Sequence, residues 1–175
     1  SVEPLIITEE FVQRLGAVDK FCPHFHLSLQ SGSDSVLSRM NRRYTSQEYR
    51  EAVNTIRRTF PYAAITTDVI VGFPEETDQE FEQTYEFLKE LRLYETHIFK
   101  YSPRNGTKAA EMPDQVDPAV KNSRSECLIK LNEKNKKEFE NLHIGQIVDI
   151  IIETHENGYA TGHTKNYIKV GIKTL

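Results

Sequence analysis

The sequence predicts an α/β fold with parallel strands, followed by a short segment of β structure alone. Between residues 24 and 101, runs rich in β-branched residues alternate with helical patterns that open on capping motifs. The connections between these runs are long, so neighbouring strands should be parallel and joined by right-handed crossovers. After Gly145 the pattern changes to three short strands, two of them separated by an Asn-Gly turn that is typical of a hairpin.

The first predicted helix begins after Thr8, whose hydroxyl suits an N-cap, and ends near Asp19. The opening strand begins at about His24, in the stretch HFHLSLQSGSD, where apolar and polar residues alternate. This strand stops at a polar turn that starts with Gln30. Residues at the carboxyl end of a parallel strand face the crevice where α/β proteins bind ligands, so Gln30 and Ser31 are candidate site residues.

The next two helices each open on a capping box. Thr45 with Glu48 begins a helix that Pro61 ends, and the run 63–71 then predicts a strand that is covered on both faces. Thr77 with Glu80 begins the second of these helices. A further strand over 96–101 and a long helix from 118 to about 142 complete the α/β part.

Composition indicates a globular protein, with 38% hydrophobic and 27% charged residues. No apolar run is long enough to span a membrane and nothing at the start resembles a signal peptide, so we expect a cytoplasmic protein with no membrane partner. The net charge of −4 is uneven, because residues 1–118 are acidic and residues 119–175 are mildly basic. Cys22 and Cys127 match no disulfide or Cys-x-x-Cys pattern, and the sequence does not determine an oligomeric state.

Several motifs carry a resemblance to the methylthiotransferase family of radical S-adenosylmethionine (SAM) enzymes. HLSLQSGSD, RMNRRYT, TTDVIVGFPEET and FKYSPRNGTKAAEMPDQV stand in the order and approximate spacing of that family, and GQIVDIIIE with NGYATGHTKNYIKV resembles the first half of a TRAM domain. CPHFHLSLQSGSD is most similar to the branch that acts on threonylcarbamoyladenosine in tRNA.

The resemblance implies the C-terminal part of an open, TIM-like radical SAM barrel with outer helices, followed by an incomplete all-β TRAM domain. Residues 1–117 would be the partial barrel, 118–142 a connecting helix and 143–175 the start of the TRAM domain. The family's cofactors are SAM and [4Fe-4S] clusters, but the Cys-x-x-x-Cys-x-x-Cys loop that holds a cluster is absent here. We therefore expect a piece of a larger enzyme, inactive by itself and without metal ligands among its site residues.

Four positions match SAM-contacting positions of radical SAM barrels, namely Glu3, Gln30, Arg42 and Asp68. Their side chains can bind the amino group, carboxylate and ribose hydroxyls of SAM. The alternatives are a frayed chain start for Glu3, a solvated basic face for Arg42 and a strand-end acid held by backbone amides for Asp68. Cys22, His24 and His26 share one strand face, which offers a weaker alternative as a metal site.

The C-terminal segment mixes aromatic rings with positive charge, which is typical of proteins that bind single-stranded RNA loops. The predicted RNA-binding residues are Tyr159, His163, Lys165, Asn166, Tyr167 and Lys169. An ordinary hairpin with solvent-facing polar residues is the alternative. The intact enzyme is expected to transfer a methylthio group to C2 of N6-threonylcarbamoyladenosine beside the anticodon of tRNA; a non-catalytic RNA-binding module and a ribosomal-protein methylthiotransferase remain as alternatives.

Overall fold

In the computed structural model, which describes residues 1–174, three parallel strands form a sheet in the order β1-β2-β3. The strands are β1 (His24–His26), β2 (Ala64–Val71) and β3 (Glu95–Lys100). The predicted parallel α/β arrangement is confirmed, and Val2 extends this sheet through a parallel bridge to Leu27. The regular strand β1 is only three residues long, shorter than the alternating pattern in the sequence predicts. Its pairing with β2 resumes at a bridge between Gln30 and Val69.

Four helices flank the parallel strands. These are α1 (Glu9–Gly16), α2 (Asp34–Arg39), α3 (Ser46–Thr59) and α4 (Asp78–Leu91). Both predicted capping boxes are present at α3 and α4, because in each case the threonine hydroxyl accepts from the N3 amide and the N3 glutamate accepts from the threonine amide. The apolar faces of α1, α3 and α4 pack on one face of the sheet around Leu27, Ile65 and Val69, which are fully or almost fully buried.

Two further helices follow β3, the short α5 (Lys108–Glu111) and the long α6 (Pro118–Asn141). Pro118 stands in the first turn of α6, where a missing amide hydrogen costs nothing, and Asp117 caps the helix through its carboxylate. This helix packs along β3 and contacts α4. Within the described residues, no helix is both long enough and apolar enough to cross a membrane.

The last described residues form an antiparallel sheet of β4 (Ile150–Glu156), β5 (Tyr159–Thr164) and β6 (Lys169–Lys173) in sequence order. The predicted hairpin turn is present, with Asn157 and Gly158 both at positive φ. A small apolar cluster joins this sheet to the rest of the chain, since Ile168 packs with Ala64, Tyr94 and Phe139. The tip between β5 and β6 therefore lies against the amino end of the parallel sheet.

Candidate functional site

One face of the parallel sheet is polar, and it is the face turned away from helices α1, α3 and α4. Successive residues of a strand point to opposite faces of the sheet. In β2 the odd-numbered Ile65, Val69 and Val71 pack under the helices, whereas the even-numbered Thr66 and Asp68 point to the polar face. His97 is the register partner of Asp68 on β3. We call His24, His26, Thr66, Asp68 and His97 the polar strip.

Hydrogen bonds connect the polar strip across β1 and β2. The Thr66 hydroxyl lies 2.9 Å from His26 Nδ1 and 3.3 Å from His24 Nε2, and His26 Nε2 lies 3.2 Å from an Asp68 carboxylate oxygen. Burial, with a smaller contribution from the neighbouring His26, lowers the pKa of His24 below its ordinary value. The neutral imidazole is therefore favoured at His24, and it can donate or accept a single hydrogen bond through Nε2.

At the carboxyl end of β1, Gln30 adopts an unusual backbone conformation. Its φ is +69°, a region that non-glycine residues adopt at a cost of about 1–2 kcal/mol. Backbone hydrogen bonds on both sides hold it there, because the Gln30 amide donates to the Asp68 carbonyl and the Ile70 amide donates to the Gln30 carbonyl, each at 2.9 Å. The side chain is thereby placed at the end of the polar strip, and the residue is only 8% exposed.

A cavity of 620 Å³ opens beside Gln30, at the carboxyl ends of β2 and β3. This size falls within the range of small-molecule sites, and the position is where α/β proteins bind ligands. Gln30 and Asp68 provide polar atoms, while apolar side chains form much of the rest. The lining residues are Gln30, Asp68, Ile70, Phe99, Lys100, Tyr101, Ser102, Arg104, Thr107 and Ala109.

Glu3 and Arg42 lie outside the lining of this cavity. Glu3 is exposed and directly follows Val2, which is hydrogen-bonded to β1, while Arg42 is half-buried. Both act on the buried Tyr44 hydroxyl, where burial raises the pKa, Arg42 lowers it and Glu3 raises it. Tyr44 donates a hydrogen bond to the Leu29 carbonyl at 3.2 Å, one residue before Gln30. The structure thus brings Gln30 and Asp68 together in one cavity, and it does not bring Glu3 or Arg42 into that cavity.

The turn after β2 is fixed by a buried ion pair. Glu76 accepts hydrogen bonds from the Gly72 amide at 2.6 Å and from Arg124 of α6 at 2.7 Å, and both charged side chains are almost fully buried. Burial raises the pKa of the Glu76 carboxyl, while the Gly72 amide and the guanidinium oppose that rise. Phe73 from this turn contacts Tyr101 edge to face, with ring centroids 5.2 Å apart, and Tyr101 lines the cavity. The turn therefore supports the cavity wall through Tyr101.

The predicted RNA-binding residues divide into an exposed group and a buried one. Tyr159, Lys165 and Lys169 are exposed, whereas Asn166 is only 6% exposed and uses its amide within the chain. Asn166 Nδ2 lies 2.9 Å from both the Tyr62 carbonyl oxygen and His143 Nε2, and Oδ1 accepts from the Thr164 hydroxyl. Asn166 thus acts as a link between the two sheets.

Tyr167 is 55% exposed, and two imidazoles stack on its ring. His24 stacks on it at 4.9 Å and His163 at 4.7 Å between ring centroids, with interplanar angles of 14° and 20°. The outer ring of the stack, His163, is held by the Glu153 carboxylate at 2.9 Å. The three rings connect the β5–β6 tip to the polar strip.

The cysteines do not fit a [4Fe-4S] cluster, which thiolates of several cysteines hold. The sequence has two, of which Cys22 is exposed before β1 and Cys127 lies on α6. The alternative site of Cys22, His24 and His26 is not assembled either, because the two imidazoles contact Thr66 and the Cys22 sulfur lies 4.0 Å from the Lys20 carbonyl oxygen.

Several residues of the site were absent from the sequence-based prediction. Thr66 and His97 belong to the polar strip, and Tyr101 and Arg124 support the cavity. His97 could have been found from the strand register. It pairs with Asp68 across the parallel strands β2 and β3, and paired residues point to the same face of the sheet. No local pattern marks Arg124 in the long helix, because its partner is 48 residues away along the chain.

The chain is similar to known proteins along its whole length. Residues 1–88 match the family model described as the radical SAM superfamily. The chain is 43% identical over 178 residues to threonylcarbamoyladenosine tRNA methylthiotransferase MtaB of Bacillus subtilis, covering 99% of this chain and 40% of that protein. It is 44% identical over 150 residues to tRNA-2-methylthio-N(6)-dimethylallyladenosine synthase of a Thermoanaerobacter strain, covering 86% of this chain and 32% of that protein.

A solved structure shares the fold. Coproporphyrinogen III oxidase (HemN) of Escherichia coli, described as a radical SAM enzyme, superposes with a TM-score of 0.64 over 77% of this chain and 31% of that chain, at 20% identity. The chain spans less than half the length of each of these relatives. The segment that matches the family model, residues 1–88, contains both Gln30 and Asp68.

Proposed function

The chain belongs to the radical SAM superfamily, and we propose that it forms part of a tRNA methylthiotransferase. The intact enzyme would transfer a methylthio group to C2 of N6-threonylcarbamoyladenosine beside the anticodon, in the cytoplasm. The supporting observation is the cavity at the carboxyl ends of the parallel strands, with Gln30 and Asp68 in its wall, in a chain 43% identical to MtaB of Bacillus subtilis.

In this proposal residues 1–117 are part of the radical SAM barrel, 118–142 connect, and 143–175 begin a TRAM domain. SAM would occupy the cavity, held by residues that line it, and would supply the methyl group, while the electron for its cleavage would come from outside this chain. Gln30 and Asp68 offer an amide and a carboxylate to its hydroxyl and amino groups. Arg42 and Glu3 lie outside the cavity lining, and in this proposal they contribute from beside it, where a guanidinium can bind the SAM carboxylate.

The fine substrate assignment rests on a motif. Identity does not separate the candidates, since the chain is 43% identical to a threonylcarbamoyladenosine enzyme and 44% identical to a dimethylallyladenosine enzyme. Alignment coverage does not separate them either, since enzymes named for the two substrates cover up to 99% and 97% of the chain. We favour the threonylcarbamoyl substrate because CPHFHLSLQSGSD resembles that branch most.

Mass spectrometry of tRNA nucleosides from cells that lack the parent gene tests this proposal. Loss of 2-methylthio-N6-threonylcarbamoyladenosine, with its unthiolated precursor accumulating, is expected. If instead the dimethylallyl or isopentenyl nucleoside loses its methylthio group, that nucleoside, not the threonylcarbamoyl one, is the substrate. Unchanged tRNA with a mass change in a ribosomal protein would support the ribosomal-protein alternative instead.

Complementation then tests the site. The parent gene carrying Gln30→Ala should fail to restore the modification, because the cavity loses a buried amide, whereas Gln47→Ala on the exposed surface of α3 should restore it. Both variants must accumulate to the same level in cells. Restoration by Gln30→Ala would remove this residue from the site.

A non-catalytic RNA-binding module is the second candidate, favoured by the exposed Lys165 and Lys169. Titration of a labelled anticodon stem-loop against the whole chain tests it. Deletion of residues 143–175 would uncover Ala64 and Tyr94, so point variants are preferable. Lys165→Glu with Lys169→Glu should weaken binding, and a wild-type chain that does not bind the stem-loop at all would leave this candidate without support.

A further inference from the structure

The polar strip brings together three side chains of the types that bind metal ions, and the SAM contacts proposed above involve only one of them, Asp68. His26, Asp68 and His97 come from three adjacent strands, and their nearest ligand atoms all lie within 4.8 Å of one another. The register produces this grouping, because Asp68 and His97 are direct partners on β2 and β3. We propose that His26, Asp68 and His97 bind a divalent transition-metal ion through two imidazole nitrogens and one carboxylate oxygen.

The donor set defines the class of metal. Two histidines and one carboxylate suit Zn²⁺, Fe²⁺ and their first-row neighbours, and they do not suit Ca²⁺ or Mg²⁺, which prefer oxygen ligands throughout. The site contains no thiolate, since the Cys22 sulfur contacts the Lys20 carbonyl and Cys127 lies on α6. It is therefore chemically different from an iron–sulfur centre.

The geometry is close to that of a bound state. Two ligands at about 2.1 Å from a tetrahedral ion are about 3.4 Å apart, and His26 Nε2 already lies 3.2 Å from the Asp68 carboxylate. His97 must approach by on the order of 1 Å. It is free to do so, because its side chain is exposed and its ring centroid is 5.9 Å from that of His26.

Thr66 supplies the support that metal-binding histidines have. The second nitrogen of such a histidine usually binds a fixed polar group, which sets the tautomer and the orientation of the ring. His26 Nδ1 lies 2.9 Å from the Thr66 hydroxyl, and that hydroxyl is held from the other side by His24 Nε2 at 3.3 Å. His26 Nε2 is thereby directed toward Asp68. In the metal-free chain Nε2 donates to the Asp68 carboxylate, so metal binding would release this proton or move it to Nδ1, which would then donate to the Thr66 hydroxyl.

The site is also open on one side. The three protein ligands leave one or more coordination positions for water or another molecule, as in catalytic metal sites. Asp68 lines the 620 Å³ cavity, so these positions face the space in which a small ligand would lie. The proposal needs only three side chains of this chain and does not depend on methylthiotransferase activity.

Titration of the chelator-treated whole chain with Co²⁺, after removal of any histidine tag, tests the proposal. One equivalent per chain should bind and produce visible d–d absorption without the near-ultraviolet band that a thiolate ligand adds. His97→Ala and Asp68→Asn should each abolish stoichiometric binding, and Thr66→Val should weaken it about 10–100-fold through loss of ring support. Zn²⁺ should displace Co²⁺ from the same site.

Two matched controls separate this site from its neighbours. Cys22→Ser removes the nearby thiol and His163→Ala removes an imidazole from β5, and both variants should bind Co²⁺ like the wild type. Circular dichroism melts establish that each variant is folded, and the exposed position of His97 makes that variant the most informative. Absence of binding by the wild type, retention of binding by His97→Ala, or loss of binding in Cys22→Ser would overturn the proposal.

Discussion

Gly32 is the residue at which the turn after β1 comes closest to helix α4. A Cβ at this position would lie 2.8 Å from Thr84 Cα and 2.9 Å from Phe87 Cβ. The Gly32 amide also donates to the Thr84 hydroxyl at 3.1 Å. The turn that carries Gln30 is thus seated directly on the backbone of α4, with no space for a side chain.

Gly32→Ala is therefore expected to destabilise the protein by about 1–3 kcal/mol, because the turn must move away from α4. Urea denaturation measures the change in the free energy of unfolding. Gly16→Ala is the matched control, since that glycine is helical and its nearest new contact would be the Thr59 methyl at 3.3 Å, so the variant should be neutral or slightly more stable. Equal losses for the two variants would contradict the close-approach explanation.

Glu80 makes stability depend on pH. Arg39 binds its carboxylate through two nitrogens at 2.8 and 2.9 Å, and hydrogen bonds from Ser35 and the Thr77 amide add to this, which lowers the pKa of Glu80 from 4.5 to about 2. A lowered folded-state pKa contributes stability that is complete above the unfolded-state pKa and is lost as the pH falls from 4.5 toward 2.

Glu80→Gln should accordingly lower the free energy of unfolding by about 1–2 kcal/mol at pH 7, and the difference from wild type should shrink as the pH falls below 4.5. Glu90→Gln is the control. Glu90 pairs with Arg50 but its side chain is 55% exposed, so its effect should stay below about 1 kcal/mol. A loss in Glu80→Gln that does not change with pH would indicate a purely steric effect.

At the level of single residues, the sequence was informative where a side chain follows a strand directly. Gln30 could be predicted because alternation locates the end of its strand, whereas Asp68, inside β2, was predicted from the family resemblance; the structure places both in the wall of one cavity. Asn166 and Tyr167 were less accessible to such reasoning. Both are residue types that contact RNA, and long-range packing gives the Asn166 amide partners within the chain and stacks two imidazoles on the Tyr167 ring.

Among the elements, α6 has a role beyond connecting two sheets. Arg124 on this helix reaches the turn after β2, where it bonds to the Glu76 carboxylate at 2.7 Å and the Glu76 carbonyl oxygen at 3.1 Å, and it also bonds to Asp78. Glu76 in turn accepts from the Gly72 amide. The helix thereby fixes the turn whose Phe73 supports the cavity wall.

Arg124→Met should destabilise the protein by about 3–5 kcal/mol, since it leaves the Glu76 carboxylate buried without its partner. The double variant with Glu76→Gln should recover at least about 1 kcal/mol of this loss, because the unpaired charge is removed. Lys136→Met on the same helix breaks a more exposed pair with Glu95 and should cost less than about 1 kcal/mol. Chemical denaturation of the wild type, Arg124→Met, Glu76→Gln, the double variant and Lys136→Met gives the comparison, and strictly additive losses for the pair would refute the coupling.

The helices and strands themselves were predictable from local chemistry. Two capping boxes determine where α3 and α4 begin, and long connections determine that the strands are parallel. The length of β1 was not predictable, because a shift in its pairing near Leu27 interrupts the regular strand before the bridge at Gln30. That shift depends on contacts with β2 that no local pattern specifies.

Across the whole molecule, the main feature beyond reach of the sequence is the contact between the two sheets. It joins the Tyr62 carbonyl, His143 and Asn166, which are far apart along the chain, and the stack of His24, Tyr167 and His163. No local sequence pattern distinguishes these residues from other polar and aromatic residues of the chain. Only their assembly shows that the β5–β6 tip covers the amino end of the polar face and leaves the carboxyl end open.

Asn166→Ala tests whether this contact fixes the antiparallel sheet of β4, β5 and β6 to the rest of the chain. The variant removes the partner of the Tyr62 carbonyl and of His143 Nε2 in a buried position, so it should cost about 1–3 kcal/mol and loosen the tip selectively. Hydrogen exchange should rise in β5 and β6 while the amides of β2 keep their protection. Lys165→Ala, one residue earlier and exposed, should leave exchange unchanged. Uniformly faster exchange in both sheets would mean that Asn166 stabilises the molecule as a whole. The antiparallel sheet would then not unfold or detach independently of the parallel sheet.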